Sequence, residues 1–323
     1  MRIAALALAG AMALAPLGPL AVAQDYPTKP IRLIVPQPPG GGFDFVARVV
    51  GEKLSERLGQ SVVVENRPGS GTLVGTEAAA KAPADGYTLL LGALSNIALN
   101  PGLYKSLPYD PLRDFVPVGL AVSYSYTLIG RKDLPFESLK EIIEYARANP
   151  NKLTFASAGN GSGQHVGAAV IWNQAGVQLT HVPYKGAQAV YQDLLAGRVD
   201  VFLDITPTAK PFVERGQVKP IAVTSAERDA ALPNVPTVRE AALPQFAMES
   251  WFGYFAPAKT PAPVLQKLRT DFAQAMQSPD VVERFQKGGG KVLRLTPAET
   301  EALVRQDVER WTALVRKADV QAD

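Results

Sequence analysis

Short apolar runs alternate with stretches of helical periodicity along most of the chain. Segments 31–35, 62–65, 88–91, 153–157, 179–182, 199–203 and 220–223 are brief, apolar and rich in β-branched residues or leucine. Such runs suit strands buried on both faces of a sheet. Between them, Ala47, Val50, Leu54 and Leu58 repeat at helical spacing, as do Leu139, Ile142, Ile143 and Ala146. Ser138 with Glu141 predicts a capping box at the start of the second of these helices. Val190, Leu194 and Leu195 mark another helix, with Gly197 placed to close it. Leu265, Leu268, Phe272 and Ala275 mark a further one. A last helix opens on Thr296 with Pro297 at its first position, and its predicted buried stripe is Val304, Val308, Trp311 and Val315.

Strand–helix alternation over the whole chain predicts α/β architecture with mostly parallel sheets. Two stretches break the short-strand rhythm: 115–131 and 246–256 are long, extended in pattern and aromatic. Each reads as a strand that crosses between two domains. On that reading 125–247 is one domain, and 24–124 with 248–323 forms the other. No low-complexity linker and no internal repeat separates them.

The N-terminal pattern differs. Met1-Arg2 precedes an apolar run over 3–22, and Ala21-Val22-Ala23 is a small-x-small triplet. This predicts a secretory signal cleaved after Ala23 and a periplasmic mature protein. A membrane anchor needs about 20 uninterrupted apolar residues, and Pro16, Gly18 and Pro19 break this run. No later stretch is long and apolar enough to span a bilayer.

Composition excludes several classes. The 323 residues include no cysteine, so there is neither a disulfide framework nor thiolate chemistry. His165 and His181 are the only histidines, which disfavours a closed zinc site. The formal net charge is +3, with both signs interspersed, unlike the clustered basic footprint of a nucleic-acid binder.

The candidate chemistry lies in loops that follow strands. The first is Val35-Pro36-Gln37-Pro38-Pro39-Gly40-Gly41-Gly42-Phe43-Asp44. Its glycines let the backbone approach a ligand closely, and the N–H groups of the following helix attract an anion. Asp44 would repel a bound carboxylate if it faced the same cavity, so it points away or meets a positive group. A plain strand-to-helix turn with a capping acid is the competing reading. The second loop is Ser157-Ala158-Gly159-Asn160-Gly161-Ser162-Gly163-Gln164-His165. It gathers hydroxyls, an amide, an imidazole and exposed N–H groups. The alternative is a solvated loop with His165 on a helix surface. Two such loops at strand C-termini favour a ligand site, because ligands of α/β sheets bind at that edge. Tyr184-Lys185-Gly186-Ala187 is a third candidate, although an exposed lysine is the ordinary fate of that residue. Ser95 and Asn96 qualify by position after the strand 88–91.

Gly69-Ser70-Gly71-Thr72-Leu73-Val74-Gly75 has the wrong spacing for a dinucleotide fingerprint and lacks its distal acid. A hydrolase would rest on Ser162 with His165 as its base, but Ser162 is outside a G-x-S-x-G elbow. Asp200 and Asp204 sit at a strand end, where a capping turn is the simpler account.

In order along the chain stand Pro38-Pro39-Gly40-Gly41-Gly42-x-Asp44, Val64-Glu65-Asn66-Arg67-Pro68-Gly69, Asp85-Gly86-Tyr87-Thr88-Leu89 and Tyr109-Asp110-Pro111. Gly159-Asn160-Gly161-Ser162, His181-Val182-Pro183-Tyr184-Lys185-Gly186 and Asp193-Leu194-Leu195-Ala196-Gly197 follow. Leu232-Pro233-Asn234-Val235-Pro236-Thr237, Trp251-Phe252-Gly253 and Ala256-Pro257 complete the series. This ordered set resembles the solute receptors of tripartite tricarboxylate transporters, the Bug-type family. The resemblance implies a two-domain, type II-like Venus flytrap fold with two crossover strands. It implies a small carboxylate ligand clamped in the cleft, no cofactor, no metal, no catalysis, and a membrane permease as partner. It also implies that 37–44 and 157–165 hold the ligand carboxylates, with 184–187 and Asp204 close to the cleft. Gln37 stands where an aromatic is common, and Phe43 where a small hydroxyl residue is common. Phe43 would add apolar area, so a ligand less polar than citrate is expected. A sensor that presents the closed form to a signalling partner would keep the same pocket.

Overall fold

The computed structural model describes residues 26–318 and 320. The signal segment expected at 1–23 lies outside these residues. The chain runs β1 (Ile31–Val35), α1 (Gly42–Leu58), β2 (Val62–Asn66), α2 (Leu73–Ala80) and β3 (Thr88–Ala93). A wide turn of π-helix over Leu94–Leu99 leads into α3 (Asn100–Leu103) and then β4 (Phe115–Arg131). There follow α4 (Leu139–Ala148), β5 (Thr154–Ser157), α5 (Gly163–Gln174), β6 (Thr180–Pro183), α6 (Ala187–Leu195), β7 (Val201–Ile205), α7 (Thr206–Glu214) and β8 (Val218–Val223). The chain ends with α8 (Val238–Ala241), β9 (Glu249–Pro257), α9 (Ala262–Ala275), α10 (Pro279–Lys287), β10 (Lys291–Val292) and α11 (Pro297–Lys317).

The strands form one ten-stranded sheet in the order β2-β1-β3-β9-β4-β7-β5-β6, with β8 and β10 also paired to β4. β4 is the strand that organises it. Its first part, from Phe115 to Ser125, pairs antiparallel with β9, and Val122 and Ser123 pair with β10. Its second part, from Tyr126 to Arg131, lies between β7 and β8, both antiparallel to it. β1 is parallel to β2 and β3 in one half, and β5 is parallel to β6 and β7 in the other.

Burial follows position in this order. β1, β3 and β7 are buried almost throughout. β2 and β6 are not, contrary to the expectation of burial on both faces, and Val63 is 49% exposed. Both are end strands with a single neighbour, and their β-branched residues reflect strand geometry rather than burial. The main core runs through both halves, from Leu33 and Val46 to Val166 and Leu203. The predicted stripe of α11 is buried as expected.

The second expected crossover is shorter than the pattern suggested. β4 crosses the whole molecule, whereas β9 begins at Glu249, opposite Ser125. Residues 246–248 reach the other half without strand pairing, tied by Met248 N–H to Thr224 O at 2.8 Å. The Thr224 hydroxyl donates to Met248 O at 2.7 Å and accepts from Tyr126 N–H at 2.8 Å, so one side chain links both connections.

β4 and β9 approach closely where Gly253 pairs with Leu120 and Gly119 with Tyr254. A Cβ on Gly253 would lie 2.5 Å from Gly119 O and 2.9 Å from Leu120 Cα. Backbone atoms cannot yield as a side-chain tip can, and overpacking of this kind costs about 1–3 kcal/mol. Gly253→Ala is therefore expected to lower the melting midpoint by roughly 4–8 °C, measured by circular dichroism. An unchanged midpoint would show that the strands separate freely at this point.

Candidate functional site

The parallel strands of both halves end at one cleft, and each is followed by a helix whose N-terminus lies there. The first N–H groups of a helix have no partner within it. Helices α4, α8 and α11, which begin elsewhere, satisfy theirs with capping boxes: Ser138 with Glu141, Thr237 with Glu240, and Thr296 with Glu299. α9 and α10 also begin elsewhere, behind Pro261 and Ser278, and have no side-chain cap bond; what marks the cleft is that several such ends meet there. The N-cap residues of α1, α2, α6 and α7 are Gly41, Thr72, Gly186 and Ile205, and none makes a side-chain cap bond. Only α5 is capped there, by the Ser162 hydroxyl accepting His165 N–H. At α2 the Leu73 and Val74 N–H groups turn back to Ser70 O and Gly69 O at 3.1 and 3.4 Å, so the donors left to the cleft are those at the starts of α1, α6 and α7, where the helix dipoles add partial positive charge.

The two lips touch. A Cβ on Gly71 would lie 2.1 Å from Asn160 O, and one on Gly186 would lie 3.1 Å from Pro38 Cγ. The Gln188 side-chain amide donates to Gly40 O at 3.1 Å. Deeper, Gly42 meets Ile205, and Gly163 meets Tyr126 and Ser95. This is a closed arrangement. It leaves a cavity of about 440 Å³ lined by Pro38, 68–71, 158–160 and 183–186.

The predicted residues divide into those at the cavity and those that support it. Pro38, Ala158, Gly159, Asn160, Tyr184, Lys185 and Gly186 line it. Gly40, Gly41, Gly42, Gly161 and Ala187 lie in the turns at the helix N-termini, and Pro39 precedes them. Asp44 is occupied within its own loop. It accepts Arg48 Nε and Nη2 at 2.9 Å, Gly40 N–H at 3.1 Å and the Asn66 amide at 3.1 Å. Burial would raise its pKa, but these donors outweigh it and hold the carboxylate below its ordinary value. Asp204 accepts from Gln164, Tyr191, Thr208 and its neighbour Ile205 N–H. Full burial pushes its pKa up despite those bonds. It anchors the end of β7 rather than facing the cavity.

Phe43 contributes no wall to the cavity. Its ring is buried edge-on against Phe252 at 5.3 Å, so the expectation of added apolar ligand surface there has no structural basis. Asn96 is likewise internal: it accepts Ala93 N–H at 2.7 Å and donates to Thr76 at 3.0 Å. Ser95 is buried beside Gly163. Gln37 is 5% exposed.

His165 is not on a helix surface. Its ring stacks on His181 with centroids 4.0 Å apart, and Phe155 stacks on His181 at 4.7 Å. The Ser157 hydroxyl lies 2.7 Å from His181 Nε2. His165 Nδ1 accepts Gly161 N–H at 3.3 Å, and thereby shapes the second loop. Ser162 caps α5 and meets the backbone of His165, not its ring, so the Ser–His pair that a hydrolase would need does not form.

The segment 68–71 lines the cavity, although its sequence suggested only a failed fingerprint. It joins β2 to α2, and so occupies the same edge as the other loops. A larger cavity of about 610 Å³ lies behind β4, against Ser225, Asp229, Gly290 and Lys291. Its wall carries the acids Glu227, Asp229 and Glu249 beside Arg228, Lys291 and Arg294, the first two of these cations being paired with Glu240 and Glu249. Among the described residues no cluster of metal-ligand type occurs, and no helix is long and apolar enough to cross a membrane.

A model of the tripartite tricarboxylate transporter family receptor matches residues 46–320. The chain belongs to this family. Protein BugT of Bordetella pertussis is 36% identical to the receptor over 296 residues, covering 91% of each chain. A protein of R. palustris solved with adipate is 34% identical, with a TM-score of 0.87 over 92% of this chain and 99% of its own. MatC from Rhodopseudomonas palustris, solved with bound malate, is 33% identical, with a TM-score of 0.86 over 90% of this chain and 100% of its own. The receptor has the two-domain flytrap-like fold expected of it.

The stacked histidines give the receptor a pH signature. Burial, with its neighbour's charge, pushes His165 down from 6.5 to about 3, and burial pushes His181 down to about 4. The unfolded chain takes up these protons as pH falls through 6.5, and the folded chain does not, so stability is lost on acidification. Asp204 works against this trend, because its folded form binds a proton more readily than the unfolded chain does. The melting midpoint is expected to fall between about pH 7 and 5. His181→Phe, which keeps the stack and removes one titrating group, is expected to reduce that fall. Equal slopes for both proteins would rule out the histidine pair as the cause.

Proposed function

We propose that this receptor captures a small carboxylate in the periplasm, closes around it, and presents the closed form to a membrane permease without chemical change to the ligand. The observation that carries this reading is the set of uncapped helix N-termini meeting at one cleft from both halves. Backbone N–H groups with dipole support bind anions without a paired cation. The acids near the cleft, Asp44 and Asp204, are tied down by their own partners; they take up Gly40 N–H and Ile205 N–H, and the N–H groups of 41–43, Ala187 and Gln188 are left to an incoming carboxylate. Lys185 adds a positive charge at the cavity wall. The adipate and malate in the two related structures support the same ligand class.

On this reading the mature domains are 24–124 with 248–323, and 125–247, and β4 and the link at 246–248 serve as hinges. The loops 37–44, 157–165 and 184–187, together with 68–71, form the binding surface. A ligand bridging both lips favours closure because only the closed form offers it donors from both sides.

Melting of the protein against malate, adipate, citrate, benzoate and amino acids tests the ligand class. A bound carboxylate is expected to raise stability by about 2.7 kcal/mol at one hundred times its Kd, and to be recovered unchanged by mass spectrometry. Conversion of the ligand, or no shift with any acid, would contradict the reading.

Closure has its own test. Gly71→Ala would place a Cβ against Asn160 O, whereas Gly59→Ala has a similar positive φ, with nothing within 4 Å of its Cβ. Both carry backbone strain of about 1 kcal/mol. Calorimetric titration is expected to show at least a roughly tenfold loss of affinity in Gly71→Ala alone, the equivalent of about 1.4 kcal/mol. Equal affinities would show that binding does not need the lips to meet.

A further inference from the structure

Among the described residues, the side chains that donate between the two proposed domains all reach backbone carbonyls. Gln188 donates to Gly40 O at 3.1 Å, Lys210 to Lys287 O at 3.0 Å, Asn173 to Ala318 O at 3.3 Å and Thr224 to Met248 O at 2.7 Å. No ion pair among those residues joins the two. Thr224 belongs to the hinge connection, and the Lys210 and Asn173 bonds end on the C-termini of α10 and α11. The Gln188 bond is the one of these that joins the two lips.

Both ends of that bond are held in place. Gly186, the N-cap of α6, packs on Pro38, and Gln188 follows in the first turn of the same helix. A Cβ on Gly40 would lie 3.4 Å from Gln188 Nε2 and 3.5 Å from its Cγ, so the side chain lies along the glycine. Gly40 has a φ of +84°, which glycine adopts without steric cost. Its N–H turns back to Asp44 Oδ2 at 3.1 Å, and Arg48 holds that carboxylate. Its carbonyl is left to the opposite lip. Gln188 itself is exposed, and it contributes neither to the cavity wall nor to the buried face of α6, which is Val190, Tyr191 and Leu194.

We propose that Gln188 is a positioning residue that latches the closed lips through the Gly40 carbonyl and so sets how long a bound ligand is held. The inference rests on the closing-receptor reading and adds a side chain that acts on the lips, not on the ligand. The bond must break before release, whereas it is absent while a ligand enters. It therefore slows dissociation and leaves association nearly untouched. One exposed bond between neutral groups is weak enough to break at every opening.

Two variants test it. Gln188→Leu removes the donor at similar size, and Gln188→Asn keeps an amide that is one methylene too short. Because the chain has no cysteine, spin labels can be attached at Lys81→Cys beside α2 and Gln192→Cys on α6 alone. In the ligand-free protein both variants are expected to shift the label distances towards longer separations. Distributions identical to the parent's would overturn the latch. Stopped-flow tryptophan fluorescence with malate and adipate reads the rates. Dissociation of either acid is expected to be about fivefold faster in both variants, with association changed by less than about twofold. A glutamine serving only α6 predicts a lower melting midpoint with unchanged lip separation. An effect confined to one acid would make Gln188 a ligand contact and overturn the proposal. If the parent binds neither acid, the receptor reading loses those ligands, and the lip separation still decides the latch.

Discussion

β4 belongs to both halves of the molecule, and the geometry of the cleft depends on that shared strand. Its first part is held by β9 and β10 and its second by β7 and β8. Each half adds parallel strands outward from this spine, so their C-terminal edges come to lie on either side of one gap. The helices that follow those strands must start at the gap. Strand order therefore decides where the donors are, before any side chain is chosen. The close approach of Gly119 and Gly253 keeps the spine compact where it meets β9.

What the side chains then do is restrain charge. Asp44 turns back to Arg48 and its own loop, Asp193 is held by Tyr184 and Arg198, and Asp204 is enclosed by neutral donors. The two imidazoles beneath the second loop are kept neutral by burial. The cleft is thus positive in its dipoles while most of its ionisable groups are silent. Such a site can recognise a carboxylate with little reorganisation, since its donors belong to backbone already fixed by turns and prolines.

Much of this was legible along the chain. β4 could be read from end to end because apolar and aromatic residues continue from Phe115 to Ile129, with only Ser123, Ser125 and Thr127 set between them, and β1 and the α11 stripe because their patterns are strict. β9 was not, because the residues before Glu249 are as apolar as the strand itself while lacking partners. The loops 37–44 and 157–165 announced themselves through glycine and hydroxyl content. The segment 68–71 was hidden by its likeness to a nucleotide motif, although its place between β2 and α2 put it at the same edge. The Asp44–Arg48 pair was available from helical spacing alone. The stack of His165 on His181 was not, since it depends on Phe155 and His181 facing each other across β5 and β6. The burial of Phe43 against Phe252 is equally a matter of tertiary packing.

The central claim is that helix N-termini from both halves, rather than a cationic side chain, hold the ligand. A crystal structure of the protein with its preferred carboxylate tests this most directly. The account predicts carboxylate oxygens within hydrogen-bonding distance of the backbone N–H groups of 41–43 and of Asn160 or Gly163, about 2.7–3.2 Å, with the lips closed as they are here. A carboxylate held only by Lys185 at the cavity mouth, or seated in the cavity behind β4, would contradict it.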